Sequence, residues 1–202
     1  MYHFNHPHHN THTMPLSSSY SAFALLFLLP ALAVSTSDNV AVHHHDNGLK
    51  SMHFTLYQHD DLNKTAFLIV KGFAGPELNA TVSPIGSIFV VRDPLTATPD
   101  SSSEVLGFVE AASITTSFDG LENLSIGKIT LNLKGHKGSI SSLGSVNNLK
   151  PSSVPVVGGT EDFFLVQGYL VMAIVDMKGY NLTYKLDFHL YWPPYAAQAL
   201  NC

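Results

Sequence analysis

The chain has a single cysteine, Cys202, so no disulfide can form within it. This excludes the small disulfide-framed scaffolds, and a secreted fold without such bonds must hold by packing alone. Arginine is nearly absent as well: Arg92 is the only one, and ten Lys plus Arg face fifteen Asp plus Glu for a formal charge of −5. Phosphate recognition needs clustered Lys and Arg, so nucleic acid is excluded as a partner, and anionic membrane surfaces with it. Charged residues make up 12% of the chain against 45% apolar, which excludes a disordered polymer and points to a folded core. Also missing are a Gly-x-Ser-x-Gly elbow, a His-Glu-x-x-His pair, a phosphate loop and a dinucleotide fingerprint, so no cofactor is expected. No segment keeps helical periodicity over three turns.

No Lys, Arg, Asp or Glu occurs before Asp38. The apolar run Ala22–Leu29, then Pro30 and the small-residue stretch Ala31-Leu32-Ala33-Val34-Ser35, has the layout of a cleavable secretory signal. It is too short to span a bilayer, which takes about 20 apolar residues. We therefore expect a signal over residues 1–35, cleaved after Ala33 or Ser35, and no membrane attachment afterwards. Four Asn-x-Ser/Thr sequons follow, at Asn63, Asn79, Asn123 and Asn181, and each is a candidate glycan acceptor in the secretory pathway.

The remaining residues, about 165, suit one domain. Residues 36–51 read as a flexible polar lead. Its His43-His44-His45 run is taken as solvated tail rather than metal site, because adjacency fixes no coordination geometry. A β domain is expected over residues 52–195, with residues 196–202 as a tail. Short runs with strand chemistry occur at His53–Gln58, Thr65–Lys71, Ser87–Arg92, Val105–Ala111, Ile126–Leu133, Ser139–Leu143, Phe163–Val175 and Leu182–Tyr191. In the last, Leu182, Tyr184, Leu186, Phe188 and Leu190 alternate with polar neighbours and define a buried face. A bend is expected at Gly168, a tight turn at Gly158-Gly159, and a long loop from Gly144 to Pro155. Eight strands with short turns make a sandwich or a closed barrel; the barrel is favoured because it leaves no exposed edge and has room for one small ligand.

Several strings, in order, resemble the plant dirigent proteins. They are Phe54-Thr55-Leu56-Tyr57-Gln58-His59-Asp60-Asp61-Leu62, Phe89-Val90-Val91-Arg92-Asp93-Pro94-Leu95-Thr96, Lys137–Gly144, and Val156-Val157-Gly158-Gly159-Thr160-Glu161-Asp162-Phe163-Phe164 through Gly168-Tyr169. The resemblance runs from Met52 to about Tyr191. It implies an all-β fold, an eight-stranded antiparallel up-and-down barrel of lipocalin-like shape, secreted to the apoplast and assembled as a homo-oligomer, dimer or trimer. It also implies an auxiliary protein without an oxidative centre of its own. A separate laccase or peroxidase makes phenoxy radicals from a monolignol such as coniferyl alcohol, and the barrel orients them toward one lignan stereoisomer. A pocket carboxylate assists quinone-methide protonation as a general acid.

Carried onto this chain, the resemblance makes Asp60 the candidate acid, and Thr160, Phe108 and Tyr57 candidate substrate contacts. Read by itself, Asp60 is better taken as a turn cap, and the resemblance brings the two readings level; Asp93 before Pro94 reads as a turn residue. The chain departs from the family pattern in four places. Ser145-Val146-Asn147-Asn148 stands where an Asp is usual, Ser152-Ser153 where an Arg is usual, Val109 in place of a Tyr, and Gln167 in place of an Arg. The family's terminal disulfide cannot form. Two other readings stand beside radical orientation: a barrel dehydratase or cyclase acting on a phenolic or terpenoid substrate, and a non-catalytic wall-binding protein.

Overall fold

The computed structural model describes residues 41–44, by their backbone, and residues 50–196. The expected signal, most of the polar lead and the terminal Cys202 lie outside the described residues. Within them ten strands are defined. The first three are β1 (Ala41–His44), β2 (Lys50–Asp61) and β3 (Ala66–Val70). Next come β4 (Ile88–Thr96), β5 (Val105–Thr115), β6 (Glu122–Leu133) and β7 (His136–Asn147). The last are β8 (Ser152–Glu161), β9 (Gln167–Lys178) and β10 (Asn181–Trp192).

From β4 to β10 each strand pairs antiparallel with the next. The ring is completed by β2, which runs along the whole of β10, from Asn181 opposite Asp61 to Trp192 opposite Lys50. On its other edge β2 meets β4 through Tyr57–Thr96 and Gln58–Leu95. The result is the expected closed, eight-stranded antiparallel barrel. β1 lies beside the start of β2, and β3 lies outside the ring, against β4.

Membership of the ring differs from expectation in one place. The Thr65–Lys71 run supplies β3, outside the barrel, and β8 takes its place as a stave. The expected loop Gly144–Pro155 is thus mostly strand, with only residues 148–151 turning between β7 and β8. Pro155 and the paired glycines disguised it. Pro155 sits in the half of β8 that pairs with β9 alone, where a missing N–H is tolerated on the free edge. Gly158 and Gly159 belong to β8 rather than to a tight turn. A Cβ on Gly159 would lie 2.3 Å from the Phe163 carbonyl oxygen, because residues 162–165 fold back over it. Consequently β9 starts at Gln167 rather than Phe163. Gly168 is therefore the second residue of β9 rather than a bend within a longer strand, and it is held at φ of 138° with no room for a side chain against His189.

Alternation decides the core. Leu182, Tyr184, Leu186, Phe188, Leu190 and Trp192 of β10 face inward, beside Met52, Phe54 and Leu56 of β2. Phe54 stacks on Phe188 with centroids 4.5 Å apart. One end of the barrel is filled by large side chains, including Leu131, Leu133, Ile140, Phe163 and Trp192. Toward the other end the inward positions of β5, β6 and β7 carry Ser113, Ser125, Gly127 and Ser142, too small to meet across the ring. That difference in side-chain volume leaves the interior empty at one end only.

Phe188 is 1% exposed at the centre of the filled half. Phe188→Ala should cost about 3–5 kcal/mol, read as a lowered urea midpoint at unchanged slope.

Candidate functional site

The empty end of the barrel holds two adjoining lobes. The inner, about 90 Å³, is walled by Val109, Ala111, Ile129, Val154, Leu170, Met172 and Leu186. The outer, about 100 Å³, opens toward the segment Leu78–Ser83, which crosses the mouth. Asp60, Val91, Ser113, Asn148 and Tyr184 line both lobes. The crossing segment is fastened on two sides. Asn148 Nδ2 donates to the Thr81 carbonyl at 2.8 Å, and the Ser83 and Thr115 hydroxyls meet at 2.5 Å. Asn79 shapes it from within, its Oδ1 accepting from the backbone N–H groups of Thr81 (2.9 Å) and Val82 (3.1 Å).

Asp60 reaches this place by strand parity. On β2 the inward set is Met52, Phe54, Leu56, Gln58 and Asp60, so the carboxyl extends an apolar row into the cavity. The turn-cap reading belongs to its neighbour: the Asp61 backbone carbonyl receives the N–H groups of Lys64 and Thr65, and its carboxylate pairs with Lys64 at 2.6 Å. Asp93, read from sequence as a turn residue, is mid-strand on β4 and fully buried. Its Oδ2 accepts from Gln58 Nε2 at 2.6 Å. Parity carried this signal too, since Val91, Asp93 and Leu95 alternate inward, but the Asp-Pro pair hid it.

Of the other expected contacts, none reaches the cavity. Tyr57 faces outward, one residue off the inward set of β2. Phe108 is on the outer wall, with the Arg92 guanidinium 4.4 Å from its ring centre. Thr160 is exposed on β8, where its Oγ1 accepts from the Ser139 N–H at 3.0 Å. A one-residue difference in a strand reverses the face, and the motif strings alone do not set that parity. Asn147, in the stretch where an Asp is usual, caps the β7–β8 turn by accepting from the N–H groups of Leu149 and Lys150, both at 2.9 Å. Asn148 was not foreseen as a lining residue, nor were Gln58 and Tyr184. Among the sequons, Asn63, Asn79 and Asn181 are exposed. Asn123 is buried, its Oδ1 accepting from the Thr115 hydroxyl at 3.0 Å, so the folded barrel has no room for a glycan there.

The lobes are electrostatically one-sided: no Lys, Arg or His lines either of them. Burial, then the like charges of Asp93 and Asp61, push the Asp60 carboxyl up to about 7. Burial pushes Asp93 up as well, against the hydrogen bonds from Thr65 and Gln58. The Tyr184 hydroxyl, buried beside both carboxyls, is pushed above its ordinary range and stays protonated. The site can thus hold a neutral, sparingly polar molecule and offer it a proton at neutral pH. Among the described residues no group of three His, Cys, Asp or Glu could hold a metal ion.

Comparison with known proteins agrees with this architecture. The sequence model of the family described as Dirigent-like protein matches residues 51–191. Dirigent protein 11 of Arabidopsis thaliana is 24% identical over 122 residues, 59% of this chain and 63% of that protein. The chain therefore spans somewhat under two thirds of that curated relative. Two solved structures share the fold, both of pterocarpan synthase dirigent proteins. One, GePTS1, is 18% identical with a TM-score of 0.64, covering 71% of this chain and 91% of its own. The other, PsPTS1, is 19% identical with a TM-score of 0.62, covering 70% and 95%.

The raised carboxyl makes stability depend on pH. Asp60 binds its proton more tightly folded than unfolded, so its contribution is full below the ordinary carboxylate range and is lost as pH rises through about 7. Melting temperature should fall from pH ~5 to pH ~8 in the wild type and fall less in Asp60→Asn. At pH ~8 the variant should be the more stable, by on the order of 2 kcal/mol. Equal pH profiles for the two proteins would contradict this electrostatic assignment.

Proposed function

The chain belongs to the dirigent-like protein family, and from that premise we propose that it binds a phenolic molecule inside the barrel and governs the stereochemistry of a bond-forming step. The radicals come from a monolignol such as coniferyl alcohol, oxidised by one electron by a separate laccase or peroxidase. Two radicals held in the two lobes couple on the faces that the walls leave open, which is catalysis by orientation. Coupling yields a quinone methide. Asp60 donates its proton to the quinone-methide oxygen, restoring the phenol, while a hydroxyl adds to the methide carbon and gives its own proton to the resulting carboxylate. The carboxyl is thereby regenerated.

The observation that carries this reading is Asp60 itself: a carboxyl protonated near neutral pH, at the junction of two apolar-walled lobes without a cation. The same feature favours a second reading, an acid-assisted ring closure or dehydration on a closed-shell phenolic substrate, which needs no oxidase. Secretion to the apoplast, argued from the leader and the sequons, belongs to the proposal. So does assembly into a homo-oligomer. In support of assembly, Phe67, Val90, Ala112, Ile126 and Leu143 stand in register across five neighbouring strands of the outer wall. Four of the five are exposed. The Arg92–Glu110–Lys128 ion pairs border this row.

Incubation with coniferyl alcohol and a laccase, followed by chiral chromatography, tests the first reading. Wild type should give enantiomeric excess, and Asp60→Asn should lose the ring-closed product at unchanged far-ultraviolet circular dichroism. Racemic product with wild type would refute radical orientation. Light scattering at micromolar concentration should give a dimer or trimer, and Ile126→Lys, in the middle of the apolar row, should shift it to monomer.

A further inference from the structure

We propose that Asp93 is a positioning residue for the acid: Asp60 and Asp93 form a carboxyl pair across the β2–β4 seam that holds a single proton at neutral pH. The proposal rests on the reading of Asp60 as the functional acid and adds the group that makes it one. The seam sets the geometry. Its pairs are Tyr57–Thr96 and Gln58–Leu95. Counting two residues further along each strand brings Asp60 opposite Asp93, where pairing between β2 and β4 has stopped. Directly opposed carboxylates repel, which opposes continued pairing there. β3 occupies β4 beyond this point, with Ala66 opposite Val91.

Two features require a shared proton. First, the surroundings supply no compensating positive charge. The titratable groups facing the pair are Tyr184 on β10 and Tyr180 in the turn between β9 and β10, with Asp61 adjacent on the outward side of β2, paired to Lys64; β3, β5 and the segment crossing the mouth present none. Two ionised carboxylates buried together without a cation are costly, and uptake of one proton removes most of that cost. Second, Asp93 is satisfied on one side only. Oδ2 takes the amide of Gln58, whereas Oδ1 is buried without a hydrogen-bond partner. An unpartnered, buried carboxylate oxygen is an acceptor that a proton held on the facing Asp60 carboxyl would satisfy. Thr65 and Gln58 donate to Asp93 and so favour its ionised form, while Asp60, which lines both lobes, has no such donors. The proton therefore resides on Asp60, the member that meets the ligand. The pair titrates as a unit, in two steps.

Carbon-13 labelling of the aspartate carboxyls in the intact mature protein, with NMR titration from about pH 3 to pH 9, reads this directly and needs no substrate. In wild type the Asp60 and Asp93 signals should each move in two steps at shared midpoints, one of them near neutral. Asp93→Asn, which keeps an acceptor for Gln58, should collapse Asp60 to one step and lower its midpoint by about one pH unit or more. Asp61→Asn, on the outward side, should move it much less. An Asp60 midpoint unchanged in Asp93→Asn overturns the proposal. Should that variant fail to fold, independent single steps in wild type overturn it equally. A positive titration with racemic product in the laccase assay would leave the pair standing and refute only its use in radical coupling.

Discussion

Closure of the sheet hangs on a short seam. Seven staves run as a continuous meander, each hydrogen-bonded to the next, but the ring is completed only where β2 meets β4 over two residue pairs. Thr96 secures the seam on the face that carries Tyr57 and His59. It is fully buried, donates to the Thr98 carbonyl at 2.8 Å and meets His59 Nε2 at 2.7 Å. The brevity of this pairing has a chemical consequence. Where it stops, Asp60 turns into the cavity with Asp93 buried behind it, so the weakest join in the barrel wall is also where the lobes acquire their acidic lining residue. An open sheet would hydrate both carboxyls and return them to ordinary titration; the closed one withdraws them from water.

The volume of the site comes from what is missing on the opposite wall. Ser113, Ser125, Gly127 and Ser142 sit where the filled half carries Leu, Ile and Phe, and the interior cannot collapse across that gap because the backbone ring is closed. Small inward side chains on β5 to β7, facing Asp60 on β2, give a cavity with room on one wall and a carboxyl on the other.

The departures from the dirigent pattern acquire physical meaning in this setting. Asn147 caps the β7–β8 turn through its side-chain carbonyl and brings no charge. Asn148 holds the segment across the mouth by its amide. With no carboxylate in the β7–β8 turn, the acid role proposed for this site would rest on the seam pair alone, unlike a site in which a loop residue supplies a second carboxyl. The pterocarpan synthase dirigent proteins share the barrel, and at under 20% identity that sharing concerns the backbone rather than the chemistry.

Alternation in β10 was legible in the sequence, and with it the all-β class and the inward face of Leu182–Leu190. Local residue chemistry writes these, because a strand half-buried in a wall must alternate. The pocket position of Asp60, by contrast, came from the family resemblance and not from its own strand. The order of the family strings carried the barrel. β8 was not legible, since a proline and two glycines break strand propensity in a segment held by neighbours distant in sequence. The outward faces of Tyr57, Phe108 and Thr160 were not legible from motif strings, because parity depends on register against partners. Nor was the burial of Asn123, or the role of Asp93. Which two carboxyls share a proton is decided by pairing between strands more than thirty residues apart, and only closure of the ring brings them face to face.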